Sequence, residues 1–191
     1  MTYDNQGSCG TFIQREDRMS QSLDPEQARQ QDEDRISGIL VGAACGDALG
    51  AGYEFGPALD PGTPIYMCGQ GAFAPGEWTD DTAQMIAIAL AAEKYDINMP
   101  AGQNEIAQNF VEWYNSPARE KDIGIHTANV LRQLSGGDPS DLARKSTQIA
   151  LDKEQANPDS SGGNGALMRT AAVVLAKLDN EAELVETAIK T

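Results

Sequence analysis

From residue 34 to the end, apolar side chains recur every three or four positions, and no segment alternates apolar with polar residues as a half-buried strand does. In "GEWTDDTAQM" and the "MIAIALAA" that overlaps it, Met85, Ile86, Ala89 and Leu90 fall at helical spacing. "NEIAQNFVEWYNSP" repeats the pattern with Ile106, Phe110, Trp113 and Tyr114, and Pro117 closes it. "DIGIHTANVLRQLSGGD" gives a further helix ending at a glycine pair, and "PSDLARKSTQIALDKEQ" opens on proline with a Ser or Asp to cap it. "EAELVETAIKT" closes the chain without a capping glycine. These apolar stripes are core, and the expected fold class is all-α, a compact multi-helix domain.

Residues 34–52, "DRISGILVGAACGDALGAG", add a stricter demand. Glycines at 38, 42, 46 and 50 make one stripe on a helix, and each weakens that helix by up to about 1 kcal/mol relative to alanine. Close approach of another helix is the expected compensation. Asp47 lies within the same apolar helix, and a buried carboxylate needs partners. Residues 56–77, broken by proline and glycine, read as a long loop.

Length and composition bound the remainder. At 191 residues with 40% hydrophobic content, the chain suits one globular domain. Its 14 Lys and Arg against 29 Asp and Glu give a formal charge of -15, which argues against nucleic acid or an anionic membrane as the main partner. An anionic ligand would therefore need metal ions or helix N-termini to hold it. Three cysteines without paired spacing suggest neither a disulfide framework nor a zinc site, so a reducing cytoplasm is the expected location. The first residues lack the basic start and apolar stretch of a signal peptide, and "MIAIALAA" is too short to span a bilayer. Residues 1–32, rich in Gln, Asp, Glu, Arg and Ser, read as a disordered tail preceding a helical domain at 33–191.

Two places carry chemistry. In "GEWTDDTAQM", Asp80 and Asp81 stand together between Thr79 and Thr82. One reading is a helix N-terminus, capped by Thr79 or Asp80 with acidic side chains complementing the dipole. The other is a hard cation such as Mg2+, whose charge offsets two carboxylates that otherwise repel. In "ANPDSSGGNGALMRTAAVVLAKL" a glycine-rich turn runs into an apolar stretch read as a helix, where backbone N–H groups can approach an anion; the plain alternative is a connector capped by Asn164.

Together, "GILVGAACGDALGAGYEF", "GEWTDDTAQM" with "DIG" further on, and "GGNGALMR" resemble the ADP-ribosylglycohydrolase family in order and spacing, from about residue 34 onward. The resemblance implies an all-α fold around a binuclear Mg2+ site, possible also with Mn2+, and hydrolysis of the glycosidic link between ADP-ribose and a modified protein side chain or small molecule. Carried over by position, Thr79, Asp80 and Asp81 match metal ligands, and Glu54 matches a mobile acid or base beside them. Asp122 with Gly124 matches a segment expected near the substrate ribose, while Gly163, Asn164 and Gly165 match the turn that cradles the diphosphate. His126, the only histidine, is assigned a structural role.

The departure from the family pattern is C-terminal. Members usually continue to a second acidic group, Asp-x-Asp followed by Thr or Ser, whereas Asp179, Glu181, Glu183 and Glu186 look like a solvated helix face. The resemblance thus implies a fold truncated at its C-terminus and an incomplete metal pair. Two other functions compete with hydrolysis: a non-catalytic ADP-ribose or nucleotide-binding module, which an inactive fragment would also resemble, and a structural protein that has kept only the helical scaffold.

Overall fold

Asp24 and Pro25 start the first helix: the Asp24 carboxylate accepts from the Glu26 N–H at 3.2 Å, and proline occupies the first turn, where its missing N–H costs nothing. The computed structural model describes residues 24–69, 73–117, 123–158, 163–176, 178 and 180–191. Its α-helices are α1 (Pro25–Gly50), α2 (Asp80–Lys94), α3 (Pro100–Asn115), α4 (Ile125–Leu134), α5 (Leu142–Ala156) and α6 (Glu181–Lys190). Among the described residues there is no strand, so the all-α expectation holds.

The helical path begins at Pro25, ahead of residue 33 where the sequence places the domain boundary. Pairs one turn apart, Gln30 with Asp34 and Arg29 with Glu33, line this exposed extension and explain how a polar stretch supports a helix. Residues 1–23 of the expected tail lie outside the described residues.

α2 and α3 pack against each other, with α2 also meeting α1 and a 3-10 segment, Thr170–Leu175, while α3 meets α4 and α5. Ile88 and Ala91 of α2, Ile106 and Phe110 of α3, Leu131 and Leu134 of α4 and Ala172 of the 3-10 segment form the buried core. Polar side chains lock the helices at set heights. Asn109 donates to the Ala87 carbonyl across the α2–α3 seam at 2.9 Å. Asp141 occupies the N-cap position of α5 without a capping bond from its side chain, and Asn104 of α3 takes that part by accepting from Ala143 N–H at 2.9 Å.

Two expectations about local structure are corrected. The glycine stripe of α1 does not receive another helix: a Cβ at 38, 42, 46 or 50 would meet nothing within 4 Å among the described residues. α1 instead turns a different face inward, with Leu40, Ala43, Ala44 and Ala48 half-buried or buried, and Gly46 and Gly50 border a cavity. The glycine-rich turn runs not into an α-helix but into two 3-10 stretches, Asn164–Ala166 and Thr170–Leu175, the second being wedged among α1, α2 and α6.

The stretch Pro25–Tyr53 is long and apolar enough to cross a membrane by length and composition, which the short run in α2 does not reveal. Its C-terminal part nevertheless carries Asp47, bonded to the backbone of α2.

Gly102, buried in the first turn of α3, marks a close backbone approach. A Cβ there would collide with the Asp96 carbonyl oxygen and lie 2.6 Å from Ile97 Cα, both backbone atoms that cannot swing aside. Alanine ordinarily favours a helix over glycine, but here the sign reverses: Gly102→Ala is expected to destabilise the fold by about 1–3 kcal/mol, measured as a fall in the urea midpoint.

Candidate functional site

The acidic cluster sits where α1 meets the start of α2. One carboxylate oxygen of Asp47, Oδ2, accepts from Thr79 N–H at 2.9 Å, Thr82 N–H at 3.1 Å and the Thr82 hydroxyl at 2.5 Å. Thr79 is the N-cap residue, and its own hydroxyl accepts from Asp81 N–H at 3.4 Å. The first turn of α2 is thus capped from two sides, and Asp80 and Asp81 are not needed as caps.

That division of labour separates the two aspartates. Asp80 is 6% exposed and accepts from Nε2 of the fully buried Gln84 at 3.1 Å, one turn along α2. Asp81 instead lines a cavity of about 480 Å3. Glu54 and Tyr53 from the end of α1's 3-10 extension, Thr79 and Thr82 from α2, Asp47 from α1, and Asn164 from the glycine-rich turn line the same cavity.

Glu54 is held by its neighbourhood. The Tyr53 hydroxyl donates to the Tyr66 carbonyl and accepts from the Tyr66 N–H at 2.9 Å, pinning the loop after Glu54 to the helix end. Gly52 faces the Cys68 carbonyl so closely that any Cβ would collide with it. Phe55, next to Glu54, has φ 60°, a conformation a bulky side chain rarely adopts, and its ring is 85% exposed.

Of the residues expected from sequence, Glu54, Thr79, Asp81 and Asn164 converge on one cavity, whereas Asp80 is buried at the start of α2 and does not line it. Gly163 and Gly165 flank Asn164; nothing within 4 Å would meet a side chain at 163, whereas a Cβ at 165 would lie 3.0 Å from the Thr127 hydroxyl of α4. Gly124 is the N-cap residue of α4, three residues before Thr127, so its segment adjoins the glycine-rich turn without lining the cavity. Asp122 lies outside the described residues. Asp47 belongs to the site although sequence marked it only as a carboxylate in need of partners. Gln84 and Arg169 also join it; the i,i+4 spacing of Asp80 and Gln84 was the one available sign.

The lining donors are carboxylate, hydroxyl and amide oxygens, the set a hard cation prefers over nitrogen or sulfur. Among the described residues no three Asp, Glu, His or Cys side chains converge on one point as a complete metal cage would require.

His126 lies elsewhere. It lines a second cavity of about 970 Å3 between α3, α4 and α5, its Nδ1 is buried without a hydrogen-bond partner, and its pKa is lowered from 6.5 by burial and then by the charges of Lys153 and Arg169.

An all-α domain with a cavity lined by carboxylate, hydroxyl and amide oxygens and bordered by a glycine-rich turn defines the class of helical domain to compare with known families. The comparison with known families gives the particular member: the chain matches the ADP-ribosylglycohydrolase model over residues 28–191 and belongs to that family. It is 38% identical over 110 residues to an ADP-ribosylarginine hydrolase of Serratia proteamaculans, covering 52% of this chain and 28% of that protein. With the ADP-ribosyl-[dinitrogen reductase] glycohydrolase of Rhodospirillum rubrum the identity is 32% over 160 residues, 79% of this chain and 47% of the relative. An ADP-ribosylhydrolase of Xenopus tropicalis is 26% identical over 155 residues, 74% and 39% of the two chains. The chain thus spans less than half the length of these relatives.

Because the folded-state pKa of His126 lies below its unfolded value of 6.5, the unfolded chain binds the extra proton first as pH falls. Stability is therefore lost on acidification from 6.5 down through the folded pKa. His126→Asn is expected to shrink the difference in urea midpoint between about pH 7.5 and about pH 5.5 relative to wild type.

Proposed function

We propose that this chain carries an ADP-ribosyl hydrolase site that cleaves the glycosidic bond between ADP-ribose and a modified side chain. The observation that supports it best is the single cavity in which Glu54, Thr79, Asp81 and Asn164 meet from three segments far apart in sequence.

Departure of the leaving group from the ribosyl carbon develops positive charge on the sugar, and the carboxylates of Asp47, Glu54 and Asp81 supply negative potential where it develops. Glu54 stands on a loop rather than a helix, which suits a group that moves a proton to the leaving nitrogen or oxygen and takes one from water. Thr79, Asp80 and Asp81 would hold Mg2+ or Mn2+. Such an ion, when bound, offsets the carboxylate charge and polarises the oxygens it touches. Asn164 and the open backbone at Gly163 face the diphosphate, the role a glycine-rich turn performs best when no side chain intrudes.

A second reading, ADP-ribose binding without turnover, draws on the absence of three converging acidic side chains among the described residues. The two separate in one assay, release of free ADP-ribose from a labelled ADP-ribosylated protein. Hydrolysis gives time-dependent release that Glu54→Gln lowers by about a hundredfold or more with ligand binding retained. Binding alone gives no release but leaves ligand protection intact.

The ligand is tested independently by thermal shift. ADP-ribose with Mg2+ is expected to raise the melting temperature, AMP less so, and Gly163→Val to abolish the gain by filling the space beside Asn164. Equal protection of wild type and variant would make the turn a plain connector. In calorimetry, Asp80→Ala with Asp81→Ala should remove Mn2+ binding, which is expected to be roughly millimolar in the wild type given its sparse carboxylates.

A further inference from the structure

Gln84 is 0% exposed one turn into α2, where a buried amide is costly unless each of its atoms is partnered. Its Nε2 donates to Asp80 Oδ2 at 3.1 Å, and its Oε1 accepts from Arg169 Nη1 at 2.9 Å. The chemistry fixes which way the amide points. Arg offers only donors, so the oxygen of Gln84 must face Arg169 and the NH2 must face Asp80. Arg169, at the end of "GGNGALMR", is itself held by the Thr191 carbonyl at 2.9 Å and by stacking 5.0 Å from the Phe110 ring centroid.

We infer that Gln84 and Arg169 are positioning residues for Asp80: the guanidinium orients the amide, and the amide fixes one oxygen of the buried carboxylate. The inference rests on the reading of Asp80 as a cation ligand. It assigns to α2 and the 3-10 segment after the glycine-rich turn a joint task, since a shift of either would rotate Asp80. Burial lowers the Arg169 pKa to about 10, partly opposed by the Asp80 charge, so the guanidinium keeps its proton at neutral pH. Ligand-orienting partners of this kind typically change metal affinity by about 10- to 100-fold.

The test is a Mn2+ titration of the 191-residue chain, with free Mn2+ read by electron paramagnetic resonance and folding checked by thermal denaturation in chelator. Gln84→Met removes both bonds. Gln84→Glu keeps the shape and the partner for Arg169 but removes the donor to Asp80, and it serves should the methionine variant fail to fold. Either folded variant is expected to bind Mn2+ about tenfold more weakly. In an Asp80→Asn background the same change at 84 should add little, because residues acting through one another are not additive. Wild-type Mn2+ affinity in both folded variants at position 84, or an undiminished effect in the Asp80→Asn background, overturns the inference. If Asp80→Asn alone leaves Mn2+ affinity unchanged, the reading of Asp80 as a ligand fails instead, and the positioning role falls with it.

Discussion

The carboxylate of Asp47 is the contact on which the arrangement of the site depends. By accepting from two backbone N–H groups and one hydroxyl at the start of α2, it joins α1 to α2 at the point where the acidic cluster begins. Helix starts leave N–H donors unsatisfied, and a charged acceptor brought from another helix is stronger than a local Ser or Thr hydroxyl cap. It also fixes direction. Thr79 and Asp81 are presented to the cavity, and Asp80 is turned toward Gln84. With the first turn capped this way, the two aspartates that a sequence reader would spend on capping are not needed for it.

Much of this was legible before any coordinates. Helical spacing gave the helices, the crowded carboxylates drew attention to Asp80 and Asp81, and the three-part motif set brought Glu54 and Asn164 into the same site. What was not legible depends on which face of a helix meets which neighbour. The glycines of α1 read as a packing stripe, and only the packing of Leu40, Ala43 and Ala44 against the core shows that a different face turns inward. Arg169 is the plainest case. Its partner Gln84 is far away in sequence, and nothing local to either residue announces the bond.

The glycine-rich segment shows a similar limit. Its composition signals close backbone approach, but not that the apolar residues behind it form a 3-10 stretch. "TAAVVLAKL" has the apolar content of a helix. Packed among α1, α2 and α6, Thr170–Leu175 takes the longer 2.0 Å rise per residue of a 3-10 helix instead of the 1.5 Å of an α-helix, so the same residues reach further. That geometry carries the chain from Asn164 at the cavity to Ala172 in the core within a few residues.

The charge balance of the chain gives the polar relay its physical sense. In a protein of net charge -15, a buried carboxylate beside other carboxylates is unfavourable unless positive charge stands near it. A bidentate Arg pair would meet that need most simply, yet it would occupy both carboxylate oxygens and compete with any cation for them. Gln84 donates to Oδ2 of Asp80 and accepts from Arg169, whose charge also acts on Asp80 directly. The carboxylate is thereby held in one orientation. Asp81, on the cavity wall, has the solvent access that Asp80 lacks, so the pair combines one rigid carboxylate with one adaptable carboxylate. In the cation-binding role proposed for the pair, the buried carboxylate would set the ion's position and the one on the cavity wall would complete its shell.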